Sequence, residues 1–386
     1  MKKDSKTTTK SRREAKKVAE MRAGQLAEDA ADSLVVGIDL GDLTSTYCVR
    51  RRDSQMIVAE SIAKTTVEAM YEAFGKLPRQ RVVLETGTHS RWVAQLLEMA
   101  GHEVIVANAR KLKLITENNQ KSDKVDARLL SQLGCMSVDW LHPVRLRSQQ
   151  AHCDLTVLRA REALVAARTG LINCMRGTVK SFGCRLRKCS SESFAKTAKD
   201  QIPAALQMAL SGLVATLEEV NKQIQGYDEQ IKQLCETKYQ EATRQLLQVN
   251  GVGPVTSLTF VLTIEDKERF ERSRDVGPYL GLVPRKKQSG SRDPQLRITK
   301  AGDVMLRKLL VNCAHHILGA KGQDSDLRRW GLEVVRAAAG NGKQGARKLG
   351  ATAVARKLAV LLHRLWVSGA KYEPLRNRGP EQAQAA

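Results

Sequence analysis

The spacing of apolar positions along the chain changes character twice. In the first third, short apolar runs alternate with turn residues. Leu34-Val35-Val36-Gly37-Ile38-Asp39 reads as a buried strand that ends in an acid and a glycine turn. Residues 44–50 and 56–60 read as the next two strands, giving an antiparallel meander. Further along, the pattern predicts a helix over 67–77, a buried strand over 81–85 ending in Glu85, a helix over 91–100, a strand over 103–106 and a helix over 123–134. From 149 the period becomes helical. Leu155, Leu158, Val165 and Ile172 form a loose stripe, and Leu206, Leu210, Leu213, Leu217, Val220, Ile224, Tyr227, Ile231 and Leu234 alternate spacings of four and three. The stretch between, with Gly183, several serines and Pro203, predicts the turn between two long antiparallel coiled-coil helices. A compact bundle is the plainer alternative. From 243, Val249-Asn250-Gly251-Val252-Gly253-Pro254 leads into an apolar helix through Leu262. A basic loop over 285–297 and helices over 303–318 and 343–365 follow.

Three strands, helix, strand, helix, strand, helix is the order of the α/β ribonuclease H-like fold, which differs from a Rossmann unit in opening with a meander. The patterns divide the chain into a basic arm (1–32), the α/β domain (33–148), a coiled-coil region (149–242), a mainly α C-terminal domain (243–375) and a tail (376–386). At 386 residues the chain is long enough for two or three cores. Charge narrows the class of partner. Lys+Arg number 64 against 41 Asp+Glu, a net +23, on a chain that is 42% hydrophobic. A folded protein of that balance points to a polyanion, most simply nucleic acid, with a ribosome-associated or merely basic surface as the alternatives. Aromatic residues are only 4%, which favours contact with backbone phosphates over base stacking. No apolar run approaches the ~20 residues of a membrane span, and the N-terminus lacks the apolar segment of a signal peptide. The eight cysteines contain no CxxC pair, and Cys184 and Cys189 have no second pair to complete a zinc site. They read as reduced thiols of a cytoplasmic protein and as small buried hydrophobes. His315-His316 and the four tryptophans, Trp92, Trp140, Trp330 and Trp366, read as packing residues.

Two acids stand where apolar strands end. Asp39 and Glu85 are costly there unless they face a cleft or a cation. Asp123 and Asp126 are three residues apart at a helix start and share a face. Each alone has an ordinary reading, a turn acid for Asp39 or a helix N-cap for Asp123. Together they are a set of hard oxygen donors suited to divalent cations, and two such ions ~4 Å apart can activate a nucleophile and stabilise a leaving oxygen of a phosphodiester.

Val36-Gly37-Ile38-Asp39-Leu40-Gly41, Leu84-Glu85-Thr86-Gly87 and Gln120-Lys121-Ser122-Asp123-Lys124-Val125-Asp126-Ala127-Arg128 resemble the DEDD motifs of the transposases of the "one-ten" insertion-sequence family, including its "eleven-eleven" branch. The resemblance runs through nearly all of 34–370. It implies an N-terminal domain similar to the Holliday-junction resolvase RuvC, with Asp39, Glu85, Asp123 and Asp126 as the metal-binding tetrad for Mg2+, two ions per site, or Mn2+. It implies a DNA recombinase that cuts and rejoins donor and target DNA to excise and insert a mobile element. It further implies dimers or tetramers with a composite site between protomers, and guidance by a structured noncoding RNA that pairs with the DNA, in a bacterial cytoplasm at the nucleoid.

In the C-terminal part, Val249 to Ser257 has the form of a helix-hairpin-helix, in which Gly251 and Gly253 let backbone amides face a phosphate; glycines placed for packing are the plainer reading. The following loop carries hydroxyls among Arg285, Lys286, Lys287, Arg292 and Arg297, with Lys300 and Arg307 just beyond, and these cations are the expected nucleic-acid contacts. Most serines in such loops are only loop residues. The family resemblance assigns a serine here as the nucleophile that forms a phosphoserine link to DNA. Ser289 is the match, before Gly290, and Ser291 is the competitor. Two other functions remain open at this level. A RuvC-like junction nuclease would activate water and need no serine, and a basic helical adaptor would use its acids structurally.

Overall fold

A computed structural model describes residues 31–112, 122–290, 292–294, 296–342 and 344–377. Residues 1–30 of the basic arm, Gln120 and Lys121 of the aspartate motif, Ser291 and residues 378–386 of the tail lie outside the described residues. The chain folds as two units, one ending at Leu146 and the next starting at Arg147.

The first unit is a mixed five-stranded sheet. Its strands are β1 (Leu34–Asp39), β2 (Thr44–Arg51), β3 (Ile57–Lys64), β4 (Arg81–Glu85) and β5 (Glu103–Ala107), in the order β3-β2-β1-β4-β5. β1–β2 and β2–β3 are antiparallel, while β1–β4 and β4–β5 are parallel. This topology is compatible with the ribonuclease H-like fold read from the element order. β3 runs four residues beyond the stretch predicted, because Ser61 to Lys64 continue the ladder against Thr44 to Tyr47. Helices cover both faces. On one, α1 (Val67–Phe74) and α2 (Ser90–Met99) bury Met70, Phe74, Val93 and Leu97 against Val36, Ile38, Val82 and Leu84. On the other, α3 (Asp123–Met136) packs Leu130 and Leu133 on Val35, Val83 and Ile105. Strands covered on both sides read as continuous apolar runs, which is why β1 and β4 were legible. α1 stops at Gly75, three residues short of the predicted end.

The second unit is helical. α4 (Gln149–Ser181) and α6 (Gln207–Glu236) run antiparallel, joined through the short α5 (Phe194–Lys199). Ala151, Leu155 and Leu158 meet Ile231 and Cys235 at one end, and Ile172, Met175 and Val179 meet Leu210, Val214 and Leu217 at the other. The expected seam is only partly the buried one. Leu210, Leu217, Ile224 and Ile231 are buried, but Val214 and Cys235 join them, while Leu213, Val220, Tyr227 and Leu234 are half-exposed. α7 (Gln240–Leu247), α8 (Pro254–Ile264), α9 (Val304–Ile317), α10 (Asp326–Gly340) and α11 (Ala346–Ser368) surround a separate apolar core. α10 was not predicted, and α11 starts three residues later and ends three later than expected because the Gly345 αL turn sets its start. Serine and aspartate caps begin several helices: Ser148 Oγ accepts from Ala151 N, Asp303 from Leu306 N and Ser325 from Arg328 N.

Candidate active site

The carboxylates are placed by two glycines. A Cβ on Gly37 would lie 2.3 Å from both the Ala127 carbonyl oxygen and the Ser131 amide nitrogen, so the backbone of α3 rests directly on β1 there. A Cβ on Gly134, near the other end of α3, would meet Val35 and Val83 side chains at 2.7 Å. From Gly134 back to Ala127, α3 therefore travels along β1 from Val35 toward Gly37, and its first turn lies toward Asp39. Side chains alternate along a strand, so Asp39 points to the same face as Gly37, the α3 face. Ile38 pairs with Leu84 in the parallel β1–β4 register, which sets Glu85 beside Asp39, and Glu85 shares its face with Val83. Asp39 and Glu85 thus end adjacent strands on the face that α3 covers, and Asp126 lies in the first turn of that helix. Asp126 is 3% exposed, Asp39 and Glu85 are half-buried, and Asp123, on the first residue of α3, is exposed. The shared helical face predicted for Asp123 and Asp126 therefore splits between solvent and interior.

Polar ties fix α3 in this pose. Arg128 reaches β3 with a two-pronged pair to Glu60, whose second contact is 2.9 Å, and Lys124 adds a third contact to Glu60 at 3.1 Å. These cations hold the Glu60 carboxyl down at about 2. Arg50 donates to Ser131 Oγ at 3.0 Å, and Arg81, paired on both sides of its fork with Glu103, donates to the Gly134 carbonyl at 3.1 Å. None of these positioning residues was singled out in the sequence. The glycine inside the apolar run was the available signal, since an isolated strand glycine marks a close backbone approach.

Carboxylates are hard oxygen donors of the kind a divalent cation takes, and Asp126 is almost wholly buried. Among the described residues, no group of three or more His, Cys, Asp or Glu side chains is gathered closely enough to cage a metal ion.

In the second unit the basic loop is a hairpin. Arg285 N donates to Arg297 O and Thr299 N to Val283 O, and the tip closes with reciprocal bonds of 3.1 Å between Ser289 and Arg292, around Gly290 at φ +55°. Ser289 stands exposed at that tip, and Arg285, Lys286, Lys287, Arg292, Arg297 and Lys300 are exposed along the hairpin from its tip to its base. Arg307 differs. It is 9% exposed, and its guanidinium donates to the carbonyls of Leu280 (3.1 Å) and Ala301 (2.7 Å), tying the hairpin base. Gly251 takes φ +87° in the turn between α7 and α8, and a Cβ there would meet His316 at 3.0 Å. It thus has a packing reason, while Gly253 has open space beside it and caps α8.

Three packing expectations are corrected. His315 and His316 are exposed. Trp140 is 56% exposed, on a short helical turn anchored instead by the fully buried Leu141. The eight cysteines are all unpaired, but Cys153, Cys174 and Cys184 are exposed on or after the polar side of α4 rather than buried.

Two family patterns match the chain. One, a transposase of the DEDD IS110 type, covers residues 36–183, and the other, described as the transposase IS116/IS110/IS902 family, covers residues 243–328. Among curated proteins the chain is 29% identical over 317 residues to a Sinorhizobium fredii protein named as transposase y4pF/y4sB, spanning 80% of this chain and 78% of that one. It is 28% identical over 250 residues to the transposase for insertion sequence element IS1111A of Coxiella burnetii, 61% and 65% of the two chains. It is 24% identical over 283 residues to the transposase for IS1328 of Yersinia enterocolitica, 72% and 82%.

Proposed function

This chain belongs to the IS110 family and is a DNA transposase, and from that premise we propose that Asp39, Glu85, Asp123 and Asp126 hold Mg2+ and that Ser289 attacks the DNA strand. The DEDD assignment of residues 36–183 itself points to dependence on a divalent cation. The observation that supports the tetrad is the seating of α3 on Gly37, in the strand that ends at Asp39 and pairs with the strand ending at Glu85. Asp123, the first residue of α3, is exposed and open to solvent. A divalent cation bound there would supply Lewis-acid neutralisation of charge on a phosphodiester.

The chain's own residues do the rest. The Ser289 hydroxyl gives up its proton to solvent, its Oγ forms a bond to phosphorus, and one P–O bond of the strand breaks, releasing a sugar oxygen that takes a proton from solvent. Attack by a hydroxyl of another strand on the phosphoserine reverses the bond changes, rejoins DNA and restores the serine. The exposed cations of the hairpin hold the phosphates on either side. Guidance by a structured noncoding RNA, assembly as dimers or tetramers and action at the nucleoid complete the reading, supported by the family membership and the +23 charge. Among the described residues no helix is long and apolar enough to cross a membrane.

The test is a denaturing gel of the purified protein with element-end DNA and Mg2+. The expected result is a covalent protein–DNA band that Ser289→Ala abolishes and Ser291→Ala retains. Strand cleavage with no such band would favour a water-activating nuclease and sink the serine assignment.

A further inference from the structure

Residues 334–372 carry eight Lys or Arg and no Asp or Glu, where the chain's own frequency would give about four acids. α11 occupies most of that stretch. Its buried side, including Ala351, Val354, Leu358 and Leu362, faces the helical core. Lys348, Arg356, Lys357 and Arg364 are all exposed on the rest of its surface. Lys348, Arg356 and Arg364 recur every eight residues, ~12 Å apart along the axis at ~1.5 Å per residue and turned by ~80° at each step, so they wind across the exposed surface of the helix over ~24 Å.

Two features show that this positive charge is not balanced within the described residues. No described carboxylate forms an ion pair with any of the four, in contrast to Lys308 with Glu162 or Arg329 with Asp324 in the same unit. The first turn of α11 carries Arg347 and Lys348 and no acid, although a helix N-terminus disfavours cations. Partial burial of its ammonium, and next the charge of Arg356, lower the Lys357 pKa, and that ammonium lies 3.8 Å from the Trp330 ring centroid. An external polyanion would satisfy the arrangement. The two aromatic residues near this face, Trp330 and Trp366, are half-buried against the core, so nothing here is presented for stacking on unpaired bases.

We propose that the solvent face of α11 is a track for the sugar-phosphate backbone of duplex DNA, gripped by Lys348, Arg356 and Arg364. The proposal rests on the reading of the chain as a DNA transposase and adds a contact surface separate from the serine hairpin and the glycine turn. It is sequence-independent, because cations on a helix that meet phosphates position a duplex without reading it.

The test is the salt dependence of binding to a random-sequence duplex, measured by fluorescence anisotropy on the full chain. The triple variant Lys348→Gln/Arg356→Gln/Arg364→Gln is compared with a control triple, Lys199→Gln/Lys222→Gln/Lys232→Gln, which removes equal charge from exposed positions elsewhere. The track predicts that the log–log salt slope of the first triple falls by ~2.7, at ~0.9 per lost phosphate contact, with affinity at 0.1 M salt lower on the order of a hundredfold. It predicts little change for the control. Each single variant should lower the slope by ~0.9, which keeps the test sound if the triple does not fold. An unchanged slope in the α11 variants, or equal losses in the control, would overturn the track. Failure of the wild-type chain itself to bind duplex DNA would instead strike at the broader reading.

Discussion

Gly37 is the residue on which the candidate site turns, because α3 touches β1 through it. Gly37→Ala would drive a methyl into the Ala127 carbonyl and the Ser131 amide, both backbone atoms that cannot rotate away. The expected cost is ~3 kcal/mol or more, read as a lower urea midpoint, together with loss of strand cleavage as the first turn of α3 is displaced. Asp39 and Glu85 were legible in the sequence because a carboxylate ending an apolar run conflicts with its surroundings. The burial of Asp126 and the exposure of Asp123 were not, since a spacing of three says which residues share a helix face and nothing about what covers that face. Trp140 was misread for a similar reason: composition makes tryptophan a packing residue, and only the tertiary path shows that Leu141 fills the core beside it. Arg307 shows the reverse. It reads as one cation among many, yet it serves the hairpin's carbonyls, and Arg307→Met should cost ~2 kcal/mol in stability through the buried acceptors it leaves unmet.

At the scale of elements, the sheet was the most legible part, because strands buried on both faces write themselves as apolar runs. The α4–α6 pairing was less so. A heptad count assigns nine seam positions, but partners along the two helices select a different set, and Val214 and Cys235 enter where the neighbouring helices leave room. The attachment of α3 to the sheet makes a pH prediction. Glu60 has its carboxyl held at about 2, below its ordinary 4.5, by Arg128 and Lys124. A depressed carboxyl stabilises the folded state fully above the unfolded value and loses that contribution as pH falls from ~4.5 toward ~2. Glu60→Gln should therefore lower stability by ~2 kcal/mol at pH 7, a figure discounted for partial exposure, and the gap to wild type should close near pH 2 in urea titrations. A gap that persists at low pH would mean that shape, not charge, ties α3 down.

For the whole molecule, the balance of charge pointed to nucleic acid, and the family matches make the chain a DNA transposase. What composition could not show is where part of that charge lies among the described residues: on exposed side chains of a hairpin, and along an acid-free helix. The proposed joint action of Asp39, Glu85 and Asp126 on a divalent cation can be measured by calorimetric titration of Mn2+ into the full chain and its Asp126→Asn variant. Saturable binding by the wild type, weakened at least ~100-fold in Asp126→Asn while the fold is kept, is the predicted result. Equal Mn2+ binding by both chains would contradict it.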